Sequence, residues 1–218
     1  MTNLSKFFLL AALLLLQACT ATPVRDWPAQ EGRVLDAQTG QPIEGAFVVM
    51  RWIGYGGYSQ SQCFHVDVAE TDAQGRFHIP EWRNDQRSAT LVDQLRNVDV
   101  VHKPGYRLAE RTYREQSQKQ GVWYLHADRR SVEDRLEYLL HVLDVTRCGA
   151  QDKSDMSLLR LYRSLYEEGG EIAATAQEKD QVDTLRYWST FILFDPGKPS
   201  GRDEKGRLIN IDSWEDLK

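Results

Sequence analysis

The 218-residue sequence predicts an α+β fold in which a β-sandwich precedes a helical extension of about three helices. Three observations predict this fold. Between residues 31 and 127, apolar residues alternate with polar ones in short runs, as they do in strands. Turn-forming glycine and proline residues separate these runs. Between residues 128 and 195, the apolar spacing changes to that of amphipathic helices.

The first 18 residues are predicted to be an export signal that lies outside the fold. Lys6 supplies a positive charge, and an unbroken apolar run over residues 7–16 follows it. A run of about ten apolar residues is too short to span a bilayer core, which is typical of a cleaved signal peptide. The sequence "LQAC", which ends at Cys19, resembles the lipobox of bacterial lipoproteins. A plain signal peptide with a chance cysteine is the alternative.

The resemblance to lipoproteins implies that Cys19 is lipidated and becomes the mature N-terminus. Thr20 follows it, in place of the aspartate that retains lipoproteins in the inner membrane. This implies a palmitate-bearing protein anchored to the outer membrane and facing the periplasm. Residues 19–30 contain two prolines and no periodicity, and we expect them to form a tether.

Two cysteines remain, Cys63 and Cys148, an even pair in a chain expected to reach an oxidising compartment. We therefore predict a disulfide between them. Closing a loop of this length stabilises a fold by roughly 4–5 kcal/mol in the chain-entropy model.

The net charge of the chain is -5, and no basic stripe is interleaved with aromatic residues. Nucleic acid is therefore not an expected partner.

The strand region divides into segments with distinct turn residues. The segment 32–52 has two apolar-rich runs around a turn, and 53–62 is predicted to be a flexible loop rich in glycine, tyrosine and serine. Residues 63–80 are predicted to form a hairpin that turns at "TDAQG". Two further strands are predicted within 97–107 and 121–127.

Three apolar stripes predict the helices. Ser131 and Asp134 resemble a capping box at the start of the first. The second is expected to end at Gly169-Gly170 and the third at Asp195-Pro196-Gly197, which leaves 196–218 as a C-terminal tail. The stripes are Val132, Leu136, Leu139, Leu140 and Leu143, then Leu158, Leu161, Tyr162, Leu165 and Tyr166, then Val182, Leu185, Trp188, Ser189 and Ile192.

Three turn signatures together resemble the carboxypeptidase regulatory-like domain. The family typically has an entry of the form G-x-V-x-D-x-x-T-G-x-P-[IL]-x-G-A-x-V, a T-D-x-x-G-x-[FY] hairpin and a later "GY". The matching residues are Gly32, Val34, Asp36, Thr39, Gly40, Pro42, Ile43, Gly45, Ala46, Val48, Thr71, Asp72, Gly75, Phe77, Gly105 and Tyr106. The resemblance covers residues 31–127 and implies a Greek-key β-sandwich of the transthyretin (prealbumin) kind. It implies an accessory module and specifies no activity.

His78 and Glu81 spell H-x-x-E, a pattern found in zinc peptidases. Since Phe77 and Ile79 are expected on the inner face of a strand, His78 is expected on the surface. A three-residue offset in a strand would also direct His78 and Glu81 to opposite faces. No zinc site is expected here.

Cys63, His65 and Asp67 alternate with apolar residues, which predicts that they share one strand face beneath the helices. Such a face could hold a metal or a cysteine–histidine nucleophile pair. Because a free thiolate is not expected in an oxidising compartment, we favour a structural role for this face.

Two aromatic groups complete the candidate residues. Tyr55 and Tyr58, in the predicted loop, have the composition of a binding loop, although a loop that only joins strands is the alternative. Tyr187 and Trp188 are expected to pack against the sheet rather than to bind a ligand.

We expect a non-catalytic binding or structural lipoprotein without cofactor or metal, held at the membrane by its lipid. An envelope protein is the expected partner. One alternative is a periplasmic inhibitor or immunity protein against a toxin or hydrolase. Another is an enzyme that uses Cys63, His65 and Asp67.

Overall fold

A computed structural model describes residues 26–55, 61–83, 94–108, 121–146, 148 and 156–193. The elements within these residues are β1 (Asp26–Trp27), β2 (Gln30–Asp36), β3 (Phe47–Tyr55), β4 (Ser61–Glu70), β5 (Arg76–Ile79), β6 (Trp82–Arg83), β7 (Gln94–His102), β8 (Tyr106–Leu108), β9 (Val122–Ala127), α1 (Val132–Val145), α2 (Met156–Ile172) and α3 (Ala176–Leu193). The predicted mixed α+β composition is confirmed for this part of the chain.

The described strands form two larger sheets and one small one. The four-stranded sheet has the order β5-β2-β9-β8, and the three-stranded sheet has the order β4-β3-β7. Strand β2 pairs with β9 in parallel, whereas the other pairs are antiparallel. The small sheet pairs β1 with β6, so a strand lies within the predicted tether.

The three-stranded sheet is buried on both faces, which gives the described structure three layers. On β3, Val48 and Met50 face the other sheet, whereas Phe47 and Val49 face the helices, and all four are buried. The core between the sheets contains Val34, Ile43, Ala46, Val48, Met50, Trp52, Phe77, Ile79, Val101, Trp123 and Leu125. This placement explains why β3 has an almost continuous apolar sequence rather than a strict alternation.

The turn between β2 and β3 is held by side chains as well as by glycine. The Asp36 carboxylate accepts hydrogen bonds from the Gln38 and Thr39 amides and from the Thr39 hydroxyl. These bonds, led by that from the Thr39 amide, lower the pKa of Asp36. The buried Thr71 hydroxyl donates to the Ile43 carbonyl at 2.6 Å and accepts from the Ala46 amide at 2.8 Å. Thr71 therefore joins this turn to the end of β4.

The predicted "TDAQG" turn needs glycine at position 75. Gly75 has a φ of +70°, and a Cβ there would lie 2.5 Å from the Val34 carbonyl oxygen. Asp72 accepts from the Gln74 and Arg76 amides, of which the Arg76 amide is the main cause of its lowered pKa. A residue with a side chain at position 75 would thus clash with β2.

Helix α1 begins as predicted, but α2 does not end where its glycines predict. Ser131 caps α1 by accepting from the Asp134 amide. Helix α2 continues through Gly169 and Gly170 to Ile172. A Cβ on Gly169 would lie 3.2 Å from Leu185 Cδ1, so this glycine lets α3 approach α2 closely. The prediction that the glycine pair stops the helix is therefore wrong, and Gly169 serves packing instead.

Helix α3 packs on α1 and α2 rather than on a sheet. Thr175 caps it by accepting from the Glu178 amide, and the Glu178 carboxylate accepts from the Thr175 amide. Leu185 is fully buried, as its stripe predicts, but Tyr187 is 62% exposed. The prediction that Tyr187 packs against the sheet is therefore wrong, and the Trp188 side chain lies outside the described part.

The predicted loop 53–62 is shorter than expected. The β3–β4 ladder continues to the pair Tyr55–Ser61, so residues at both ends of the predicted loop are in strands. Tyr58 lies outside the described residues, as do Cys19 and the tail 196–218. Within the described residues, none of the helices combines the length and the apolar character that crossing a membrane requires.

Candidate functional site

A disulfide joins Cys63 on β4 to Cys148, which follows α1, with their Cα atoms 4.9 Å apart. The bond links two residues that are separated by 85 positions. It thereby connects the three-stranded sheet to the helical layer, and the predicted pairing is confirmed. Neither sulfur is available as a thiolate while the bond is intact.

An irregularity in β4 separates Cys63 from His65. Trp52 of β3 lies opposite His65, but the next residue, Ile53, lies opposite Cys63, so Phe64 is an extra residue in the ladder. Such a β-bulge reverses the side-chain alternation. His65 consequently shares the inter-sheet face with Trp52, whereas Cys63 faces the helices. The prediction that Cys63, His65 and Asp67 share one face is wrong.

His65 and Asp67 nevertheless form a pair at the edge of the sandwich. His65 Nε2 lies 3.0 Å from Asp67 Oδ2, and their side chains are 21% and 22% exposed. The imidazole stacks on Trp82 with 6° between the planes and also contacts Trp52. A histidine–carboxylate pair can hold or transfer a proton, but the predicted nucleophile Cys63 is oxidised and on the opposite face. The predicted catalytic trio is not assembled.

The H-x-x-E residues lie on the surface. Phe77 and Ile79 are buried and His78 is exposed, with its Nδ1 atom 3.1 Å from Glu31 Oε1. Glu81 is also exposed. Among the described residues, no group of three histidine, cysteine or acidic side chains has the arrangement of a metal site.

A buried polar cluster lies between the sandwich and the helices. Glu168 of α2 accepts hydrogen bonds from Arg135 Nη2 of α1 at 2.8 Å and from the Gly105 amide at 3.0 Å. One carboxylate therefore connects two helices to the turn between β7 and β8. Sequence reasoning missed this cluster. The sequence feature that indicates the cluster is the position of Glu168. This acidic residue lies three residues after the buried Leu165, on the apolar face of its helix.

His102 lies at the edge of this cluster and is completely buried. Its Nε2 atom is 3.7 Å from Glu168 Oε2, and neither ring nitrogen has a hydrogen-bond partner among the described residues. Burial, with a smaller contribution from the charge of Lys103, lowers the pKa of His102 to about 3. His102 is therefore neutral at physiological pH. The cluster is enclosed, so we assign it to structure rather than to catalysis.

Within the described residues, the outer face of the four-stranded sheet carries several exposed basic side chains. We call it the outer sheet face and define it by Glu31, Arg33, Arg76, His78, Arg107 and His126. Arg33 lies directly opposite Arg76, and Arg107 lies directly opposite His126. Arg76 forms an ion pair with Asp72, and Arg33 donates a hydrogen bond to the Gln74 carbonyl.

The described helices α1 and α2 pack on the other sheet. Helix α1 packs on β7 and α2 packs on β4, both in the three-stranded sheet. A cleft of about 900 Å³ opens beside the outer sheet face, and its charged lining residues are Arg33, Arg76, Arg160, Glu31, Glu70 and Asp72. Asp72 forms an ion pair with Arg76, and Glu70 forms one with Arg160. Within the described residues, the outer sheet face and this cleft are the candidate binding surface.

No family model matches the chain, and no curated protein or solved structure is significantly similar to it.

Proposed function

We propose that this chain is a lipoprotein, anchored to the outer membrane and facing the periplasm, that acts as a non-catalytic binding module. Its first 20 residues support this localisation, because a basic residue, an apolar run and "LQAC" precede Thr20. Lipid on Cys19 would attach the mature chain to the membrane, and residues 19–30 would connect it to the fold.

We further propose that residues 31–127 are a carboxypeptidase regulatory-like domain with Greek-key, prealbumin-like topology. The turn geometry supports this proposal, since Gly40, Gly75 and Gly105 of the three signatures all have positive φ angles. Domains of this kind are accessory modules, which agrees with a binding role. The helices that follow are an addition to that minimal domain.

The outer sheet face, where Arg33 and Arg107 have no ion pair among the described residues, is the observation that carries the binding function. By contrast, Asp72 pairs with Arg76 and Glu31 pairs with His78. We propose that this face docks an acidic surface of an envelope protein. Complementary charge would accelerate association and select the partner.

The oxidised state of Cys63 supports a binding role over the enzymatic alternative. An enzyme that used Cys63, His65 and Asp67 would need a reduced thiolate within reach of His65. The disulfide removes that thiolate, and the bulge at Phe64 directs Cys63 to the other face. The binding experiment therefore uses mature protein that has been purified with its disulfide intact.

The experiment is affinity capture of the mature protein from solubilised envelope, followed by mass spectrometry. Arg33→Glu should reduce the captured partner about tenfold or more, because it reverses a charge at the centre of the proposed interface. Lys179→Glu, an equal charge change on α3 and away from this face, is the control. A partner captured equally by both variants, or one whose capture resists high salt, would contradict the proposal.

The anchor is tested separately. Cells that express the protein and are fed an alkyne fatty acid should label it, and Cys19→Ser should abolish the label. Labelled protein should fractionate with the outer membrane. Labelling that persists in the Cys19→Ser variant would exclude this attachment site.

The inhibitor alternative is favoured by one observation, the length of the β3–β4 ladder. Pairing reaches Tyr55 and Ser61, so β3 and β4 end side by side at these residues, as two strands do at the tip of a hairpin. Inhibitors can insert such a tip into a cleft of the target. If Tyr58→Ala abolishes capture of the partner and Arg33→Glu does not, the inhibitor alternative replaces the outer sheet face as the binding mode.

A further inference from the structure

A second concave surface lies at one corner of the sandwich. We call it the corner pocket. It has a volume of about 390 Å³ and is lined by Gln38, Arg107, His126, Ala127, Arg129 and Arg130. Four of these six residues are basic or can become so. They come from β8, from β9 and from the short connection between β9 and α1.

Asp128 and Asp36, which are adjacent in sequence or coupled to lining residues of the corner pocket, already have hydrogen-bond partners. The Asp128 side chain is only 3% exposed, and both of its oxygens accept hydrogen bonds from the Arg130 guanidinium. Asp36 interacts electrostatically with His126, but its carboxylate accepts three hydrogen bonds within its own turn. No acidic side chain is among the described residues that line the pocket.

The arginines of the corner pocket are held differently from one another. Arg130 is bound to Asp128, and its guanidinium lies 4.9 Å from the centre of the Tyr138 ring. Its orientation is therefore set by the protein. Arg107 is partly buried and lies opposite His126, with which it forms no pair of opposite charges. Arg107 and Arg129 supply positive charge that the described acidic residues do not neutralise.

We infer that the corner pocket binds a small phosphate-bearing anion. The arginine side chain offers several N–H donors in a planar fork that matches phosphate oxygens. Arg107 and Arg129 approach the pocket from different segments of the chain, which suits a tetrahedral group with several oxygens better than a single planar carboxylate. The volume corresponds to a small ligand rather than to a polymer. The corner pocket shares Arg107 and His126 with the outer sheet face but not Arg33, and this inference does not depend on the lipid anchor.

The test is isothermal titration calorimetry of the full mature protein with inorganic phosphate and with glycerol phosphate, at constant ionic strength. We expect saturable binding of one ligand per chain. Arg107→Gln and Arg129→Gln should each weaken it by about tenfold or more, because each removes a charge-assisted hydrogen bond donor. Arg33→Gln changes the same sheet face outside the pocket and should leave phosphate affinity unchanged.

Three results would overturn the inference. The first is the absence of saturable binding for both phosphate compounds. The second is an equal loss of affinity in Arg33→Gln and Arg107→Gln, since this would indicate general charge attraction. The third is acetate binding as tightly as phosphate.

A membrane surface is distinguished with the Cys19→Ser mature chain, which has no lipid. Sedimentation with phosphatidylglycerol vesicles, without any binding of glycerol phosphate, would assign the pocket to the bilayer and likewise reject a small ligand. The protein could bind phosphate and yet capture no protein partner. That result would support this inference and reject only the proposal that the outer sheet face docks a protein.

Discussion

His102 Nε2 lies 3.7 Å from Glu168 Oε2, and both side chains are buried where the sandwich meets the helices. The contact pairs a neutral imidazole with a carboxylate that Arg135 and the Gly105 amide already engage. It makes the junction between the two layers sensitive to pH and to substitution.

Stability should decrease as the solution becomes acidic, because His102 takes up a proton only on unfolding. Its pKa is about 3 in the folded chain against 6.5 when exposed, so the unfolded state binds more protons between these values. The contribution of neutral His102 to stability is therefore present above pH 6.5, and it is lost as the pH drops towards 3. Between about pH 7 and pH 5, His102 should account for a loss of about 2 kcal/mol.

Urea unfolding at the two pH values measures this loss. His102→Asn should remove most of it, whereas His78→Gln, at an exposed position, should leave it unchanged. Equal pH dependence in the parent and His102→Asn would show that another group is responsible.

Removing the Glu168 carboxylate should destabilise the chain. Glu168→Ala leaves Arg135 and the Gly105 amide without their acceptor, which we expect to cost about 2–4 kcal/mol. Glu167→Ala is the matched control, since Glu167 forms an exposed ion pair with Arg163 and its loss should cost less than about 1 kcal/mol. Urea unfolding at neutral pH compares the two, and similar losses would contradict the assigned role of the cluster.

The disulfide should contribute about 4–5 kcal/mol, because it closes a loop across 85 positions. The double variant Cys63→Ser/Cys148→Ser and the reduced parent should therefore unfold at similar urea concentrations, well below that of the oxidised parent. Intact mass after alkylation, with and without reductant, reports the bond. Two alkylated thiols in unreduced protein would rule the bond out.

The two glycines of α2 should respond differently to alanine. A methyl group added at Gly170 would meet nothing within 4 Å among the described residues, so Gly170→Ala should stabilise the helix by about 0.5–1 kcal/mol. At Gly169 the methyl group would lie 3.2 Å from Leu185 and 3.3 Å from Val182. Gly169→Ala should therefore be less stable than Gly170→Ala by about 1 kcal/mol or more. Thermal unfolding of both variants checks the difference, and equal melting temperatures would contradict close packing of α3 at this point.

Local patterns predicted the sheets and helices well, because each pattern reports a nearby physical requirement. The capping residue Ser131 and the turn glycine Gly75 act within a few positions of the chain. The cysteine pair was also predictable, since only two cysteines remained after Cys19. These signals are independent of how the layers pack.

The errors have a common origin in packing between distant segments. The extra residue Phe64 is visible only when β3 is aligned with β4, so alternation alone put His65 on the wrong face relative to Cys63. Gly169 resembles a helix terminator until α3 is packed against it. The junction of His102 with Glu168 joins residues from β7 and α2, and no spacing within either element predicts it.

The parallel pairing of β2 with β9 also determines when the sandwich can close. A chain synthesised from its N-terminus produces β2 early and β9 only after the other described strands. Until then, the core lacks Trp123 and Leu125, and the apolar side chains of β3 that face the other sheet are incompletely buried. A nascent chain therefore exposes apolar surface on incomplete sheets until β9 has been synthesised. This is the stage at which a holding chaperone is most useful.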